Sequence, residues 1–205
     1  GQAGDAITTG SQNTAVGTFT LSANQEGKKN VAIGYGSLNA MNPSSASDTF
    51  NVAIGYHSGL SVTTGVQNTL IGGLAGDALT TGEQNTSLGY GALSSETQGD
   101  RNVAIGTYAL FAQNNTSSID AYNTAIGYQA GTNVTTGVKN TSIGARTMQA
   151  TTVGQENVAL GYQALFTNVD GSKSVAIGAN SLLSQEPASA VDMYNTAVGY
   201  NSGYS

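Results

Sequence analysis

The sequence predicts an all-β fold, a parallel β-solenoid or β-roll of about eleven coils, and three observations lead there. First, a tract of the form Asn-Thr/Val-Ala-Ile/Val-Gly, as in residues 123–127, recurs eleven times in 205 residues. It begins at Asn13, Asn30, Asn51, Asn68, Asn85, Asn102, Asn123, Asn140, Asn157 and Asn195, with Ser174 taking the place of Asn once. Second, the intervals are 17 residues except for three of 21, so a longer period of 72 residues overlies the short one. Third, a Gly stands four residues after every tract start: Gly17, Gly34, Gly55, Gly72, Gly89, Gly106, Gly127, Gly144, Gly161, Gly178 and Gly199. Strict self-similarity at a short period is the mark of stacked units, each completing the apolar surface of the next. A disordered chain rich in Gly, Ser, Thr and Asn has no reason to keep such a register.

Each coil is read from its tract, with the Asn counted as position zero. Position one is always Thr or Val and position three always Ile, Val or Leu, which predicts a short strand with period-two alternation. On this reading Ile33, Ile54, Ile71, Leu88, Ile105, Ile126, Ile143, Leu160, Ile177 and Val198 form the structural core. Position two is Ala except at Leu70, Ser87 and Ser142, so the other face of the strand is expected to be closely approached, with a neighbouring chain as the natural candidate. The Gly that follows suits a corner, by a positive φ or by leaving no room for a Cβ. The Asn residues, stacked in register, are expected to hold a corner as a hydrogen-bonded ladder.

A second apolar site emerges from differences between coils. Position eight is Leu or Met in some 17-residue coils (Leu21, Leu93, Met148, Leu165), and position eleven is then polar (Asn24, Glu96, Thr151, Asn168). Elsewhere position eight is Gly (Gly59, Gly76, Gly131) and position eleven is apolar (Val62, Leu79, Val134). One cavity is filled from either of two directions, because an unfilled one costs roughly 2–5 kcal/mol. Five of the six basic residues, Lys28, Lys29, Arg101, Lys139 and Lys173, lie one or two places before a tract, which marks a solvent-facing corner. The three long coils insert four residues and end in Asp with a nearby aromatic (Asp48 and Phe50, Asp120 and Tyr122, Asp192 and Tyr194), and both prolines, Pro43 and Pro187, share one place in that insertion. A chain excursion that leaves the ladder and returns is expected there.

Residues 123–137, Asn-Thr-Ala-Ile-Gly-Tyr followed by Thr-Thr-Gly, resemble the head repeats of trimeric autotransporter adhesins and, more closely, the collagen-free repeat shafts of phage tail fibres. The similarity covers essentially the whole chain, although repeats of 17 and 21 residues exceed the adhesin repeat. The resemblance implies a left-handed parallel β-roll, three of which associate about a common axis, with the Ile or Val of the tract inside and Gly at the turn. It also implies a structural shaft of an extracellular or virion fibre, with host attachment by the whole fibre; a bacterial trimeric surface adhesin is the alternative. The expected partners are therefore the chain itself, intertwined or packed as a homotrimer, and a cell-surface glycan or receptor.

Other roles are weighed against composition. Six Lys and Arg face twelve Asp and Glu, so no basic stripe exists to neutralise nucleic-acid phosphates. No apolar run approaches the ~20 residues of a membrane-spanning helix, and the absence of Cys excludes disulfides and thiolate metal sites. The acidic residues repeat at corners instead of pairing as an acid and base, so no enzyme is expected, nor any cofactor or metal. Asp48, Asp120 and Asp192 are expected to stabilise turns through Asx-type hydrogen bonds, and His57 to be exposed. The rows Thr8-Thr9, Thr63-Thr64, Thr80-Thr81 and Thr135-Thr136 raise an ice-binding solenoid as a second alternative. Tyr at position five (Tyr35, Tyr56, Tyr90, Tyr128, Tyr162, Tyr200) reads as a ladder between subunits or coils, or as a carbohydrate-stacking surface. Phe50, Tyr122 and Tyr194 are candidate glycan contacts or, alternatively, pins for their excursions. Residues 1–10 match residues 73–82, so residues 1–205 are expected to be one continuous repeat domain cut from a longer fibre.

Overall fold

The computed structural model describes residues 1–187 and 189–204. Eleven three-residue strands follow one another: β1 (Thr14–Val16), β2 (Val31–Ile33), β3 (Val52–Ile54), β4 (Thr69–Ile71), β5 (Thr86–Leu88), β6 (Val103–Ile105), β7 (Thr124–Ile126), β8 (Thr141–Ile143), β9 (Val158–Leu160), β10 (Val175–Ile177) and β11 (Thr196–Val198). They form one parallel sheet in sequence order. Each pairs with the next in tract register, as in Val31↔Val52, Ala32↔Ala53 and Ile33↔Ile54. The chain is a parallel β-solenoid with one strand per coil.

The Asn ladder sets that register. The side-chain oxygen of Asn51 accepts the backbone N–H of Asn68 at 2.9 Å, while its amide nitrogen donates to the Gly65 carbonyl at 2.8 Å. The same two bonds recur at Asn68 and Asn140, and these Asn side chains are buried. Unmade hydrogen bonds at a buried amide are costly, so this pair of contacts ties coils across the 17-residue intervals, while before the long coils Asn30 and Asn102 keep only the pair's bond to the next Asn N–H. The position-four Gly fulfils both readings of its role. Its φ is 124° at Gly17 and 141° at Gly55, and a Cβ on Gly55 would lie 2.5 Å from the Gly72 carbonyl oxygen.

The strand alternation is inverted relative to the sequence reading. Position two points into the coil: Ala32, Ala53, Ala104, Ala125, Ala159 and Ala176 are fully buried. Ile33, Ile54, Ile71, Leu88, Ile105, Ile126, Ile143, Leu160, Ile177 and Val198 are instead half-buried or exposed on the outside of the chain. No neighbouring chain crowds position two; the coil's own interior does. The physical reason is cross-section. Leu or Met at position eight already fills much of the coil and leaves room for only a small side chain, Ala or Ser, beside it. Where position eight is Gly, the strand can supply the volume, and Leu70 does so. A Cβ on Gly59 or on Gly76 would sit 2.8 Å from a Leu70 methyl.

The paired cavity is as read: Leu21 with Asn24, Leu93 with Glu96, Met148 with Thr151 and Leu165 with Asn168 are all buried, as are Val62, Leu79 and Val134 opposite their glycines. The polar partner has a local task. Asn168 accepts the Gly171 N–H at 3.0 Å and donates to the Gly171 carbonyl at 2.9 Å, closing the corner.

Tight corners also demand left-handed backbone from ordinary residues. Positions minus one, six and eight carry φ near +50 to +60°, as at Gln67 (58°), His57 (54°) and Leu165 (51°). Each such residue costs roughly 1–2 kcal/mol, a strain that only continuous stacking can offset.

Candidate functional site

Two surface features run the length of the rod. The first is the outer face of the sheet, where positions one and three of every coil project. Val16, Leu88, Leu160 and Val198 are the most open of its position-three residues, at 55, 44, 43 and 66% exposure. No charged residue occurs between positions zero and five of any of the eleven coils. With ~4.8 Å per strand, eleven ranks make a stripe of ~53 Å. At a width of roughly 10 Å or somewhat more it presents on the order of 500–700 Å² of mainly apolar surface, at or above the largest patch of an ordinary monomer.

The second feature lies just beyond the Gly corner. Tyr35, Tyr56, Tyr90, Tyr128, Tyr162 and Tyr200 expose 45 to 74% of their surface. Tyr35 and Tyr56, on adjacent coils, stack with centroids 5.7 Å apart. His57 is not free in solvent but half-buried, stacked on Tyr56 at 3.9 Å. Opposite His57, burial holds the Asp77 carboxyl above the usual carboxylate range, backbone hydrogen bonds and the His57 charge only partly opposing this. Its Oδ1 is buried without a hydrogen-bond partner.

The long coils build one cluster three times. Lys29 meets Asp48 at 2.6 Å and lies 4.9 Å above the Phe50 ring. Arg101 pairs with Asp120 and lies over Tyr122. Lys173 meets Asp192 at 2.6 Å and sits 5.3 Å from the Tyr194 ring centre, while the Tyr194 hydroxyl donates to Asp192 at 3.1 Å. These hydrogen bonds hold the Asp192 carboxyl below its ordinary range and raise Lys173. The three aspartates thus use their carboxylates on a cation of the previous coil, not on an Asx turn. Backbone bridges Lys28↔Asp48, Asp100↔Asp120 and Ser172↔Asp192 return each excursion to the rod. Phe50, Tyr122 and Tyr194, although exposed, are held in these latches.

The Thr-Thr row is partly engaged within the rod. Hydroxyls of Thr8, Thr63, Thr80 and Thr135 donate to backbone carbonyls of the next coil at 2.9 to 3.2 Å.

Sequence reasoning missed a polar centre inside the rod. Glu96 is fully buried and its carboxylate accepts six N–H bonds. Thr97, Gln98, Gly99 and Asn115 donate from the backbone at 2.8 to 3.1 Å. The side chains of Gln113 and Asn115 donate at 2.8 and 2.9 Å. Gln113 then accepts from Asn123 at 3.0 Å, joining the carboxylate to the Asn ladder. The signal was present, since Glu96 and Gln113 both occupy position eleven in successive coils. The donors are all neutral, so this network specifies the core by saturated hydrogen bonding.

Comparison with protein-family models, with curated proteins and with solved structures gave no match.

Proposed function

We propose that this chain is the structural shaft of a fibre, formed by copies associating side by side through the outer stripe, three about a common axis. The observation that carries this reading is an uncharged, mainly apolar face that persists through every coil while all charged residues lie outside positions zero to five. An area on the order of 500–700 Å² approaches the ~800 Å² per partner of a stable interface. The Ile or Val that the adhesin-like repeats place inside would then be interior to the assembly, not to the coil. No helix among the described residues is long and apolar enough to cross a membrane. The fibre role, on a virion or a cell surface with host attachment by the whole assembly, follows from the tract resemblance together with this face.

Sedimentation velocity at micromolar concentration tests it. The native chain is expected to sediment as a trimer, and Ile105→Lys with Ile126→Lys as a folded monomer with a nearly unchanged melting temperature. A native monomer, or a variant that assembles equally well, contradicts the proposal.

A further inference from the structure

From β3 onward the position-five row alternates with coil number. Tyr56, Tyr90, Tyr128, Tyr162 and Tyr200 stand on every second coil, and the coils between carry Gly73, Thr107, Ala145 and Ala179. Every strand pairs with its successor, so two coils separate neighbouring rings by ~9.6 Å. That spacing is about one disaccharide of an extended β-1,4-linked glycan, in which alternate sugars present the same face. Among the described residues, none of Tyr128, Tyr162 and Tyr200 meets another ring, whereas Tyr35 and Tyr56 do. Tyr56 meets Tyr35 and His57, and Tyr90 meets the edge of Tyr108; a packing ladder would continue such contacts, whereas Tyr128, Tyr162 and Tyr200 stand apart and exposed.

We infer that the Tyr row is a binding ridge for a neutral, extended β-1,4-linked polysaccharide, each ring stacking on alternate sugars. Tyr supplies an apolar plane with a polar edge, suited to a sugar face with equatorial hydroxyls. Polar side chains follow the rings at Gln129, Gln163 and Asn201 and can bond those hydroxyls. The lack of charge from position zero to five suits a neutral chain rather than an acidic one. Several weak stacking contacts on one rigid rod act together, so affinity is expected to grow steeply with the number of correctly spaced rings. The inference does not rest on self-association, because the ridge lies beyond the Gly corner from the stripe.

Co-sedimentation with microcrystalline cellulose and with crystalline chitin tests it, with granular starch, an α-linked glucan, as the control. The native chain is expected to bind one or both β-1,4 solids and not starch, and the two solids distinguish glucose from N-acetylglucosamine units. Replacing Tyr90, Tyr128 and Tyr162 by Ala should weaken binding at least tenfold with melting temperature retained. A second variant, Tyr128→Ala with Ala145→Tyr, keeps the number of rings but breaks their spacing. It introduces an adjacent pair of the kind that Tyr35 and Tyr56 already form, and should also bind at least several-fold more weakly. Native protein that binds neither solid, that binds starch equally, or that is unaffected by the spacing change overturns the inference. Running the same assay on Ile105→Lys with Ile126→Lys separates this outcome from a failure of assembly.

Discussion

The two faces of a single strand behave as different regions of the molecule. In β7, Ala125 is sealed in the coil, whereas Thr124 and Ile126 on the other face remain partly open. The inner face is restricted by volume, because Leu or Met at position eight or an apolar residue at position eleven shares the same space. The outer face keeps large apolar residues that the described residues leave partly open. In an isolated globular domain the larger side chains would face inward; here the order is reversed, and that reversal is what makes the outer face informative.

The largest expected effect comes from the inner face. Ala125→Arg places a cation where there is neither space nor a partner, and a buried unpaired charge costs several kcal/mol. Loss of the cooperative melt is expected, whereas Ile126→Arg at the neighbouring outer position should leave the single chain folded. Circular dichroism melts of both variants at dilute concentration make the contrast, and equal loss in both would erase it.

Next in size is the paired cavity. Leu165→Gly relieves a left-handed φ but empties a filled interior, with an expected net loss of about 2–4 kcal/mol. Adding Asn168→Val, the pairing used at Gly59 and Val62, should recover part of that loss despite removing the Asn168 bonds to Gly171. Denaturant titration of the four species checks this coupling, and strict additivity would show the two sites to be independent.

A smaller effect tests a group that is neither inside nor outside. Burial raises the Asp77 pKa, so the folded chain holds its proton to higher pH than the unfolded chain does. Stability from this group is full below the ordinary carboxylate pKa and is lost as pH rises through the raised value. Asp77→Asn is therefore expected to raise the melting temperature modestly at pH 7 and leave it nearly unchanged at pH 3. The opposite pH order would contradict the burial argument.

Much of this architecture was legible because repetition converts weak local signals into a register. The tract spacing, the Gly corner, the Asn ladder and the exchange between positions eight and eleven could each be read by comparing coils. The direction of the strand could not, since period-two alternation says that one face is inside without saying which. Size suggested Ile, but the interior at Ala125 is limited by residues that lie elsewhere in the coil. The Glu96 network was equally hidden, as it depends on which N–H groups the corner turns toward position eleven. The latches at Phe50, Tyr122 and Tyr194 were half visible: the constant Asp and aromatic marked the place, but the cation comes from the preceding coil.

The most direct test of the outer face as the assembly interface uses the absence of Cys in the chain. A single Ile126→Cys reports the stripe, and Thr64→Cys, an exposed residue on another corner, serves as reference. Labelling with a bulky maleimide is followed from dilute to concentrated protein. The account predicts that the Ile126→Cys thiol reacts when dilute and becomes protected as copies associate, while Thr64→Cys reacts throughout. Unprotected Ile126→Cys in the assembled state, or equal protection at both positions, would contradict it.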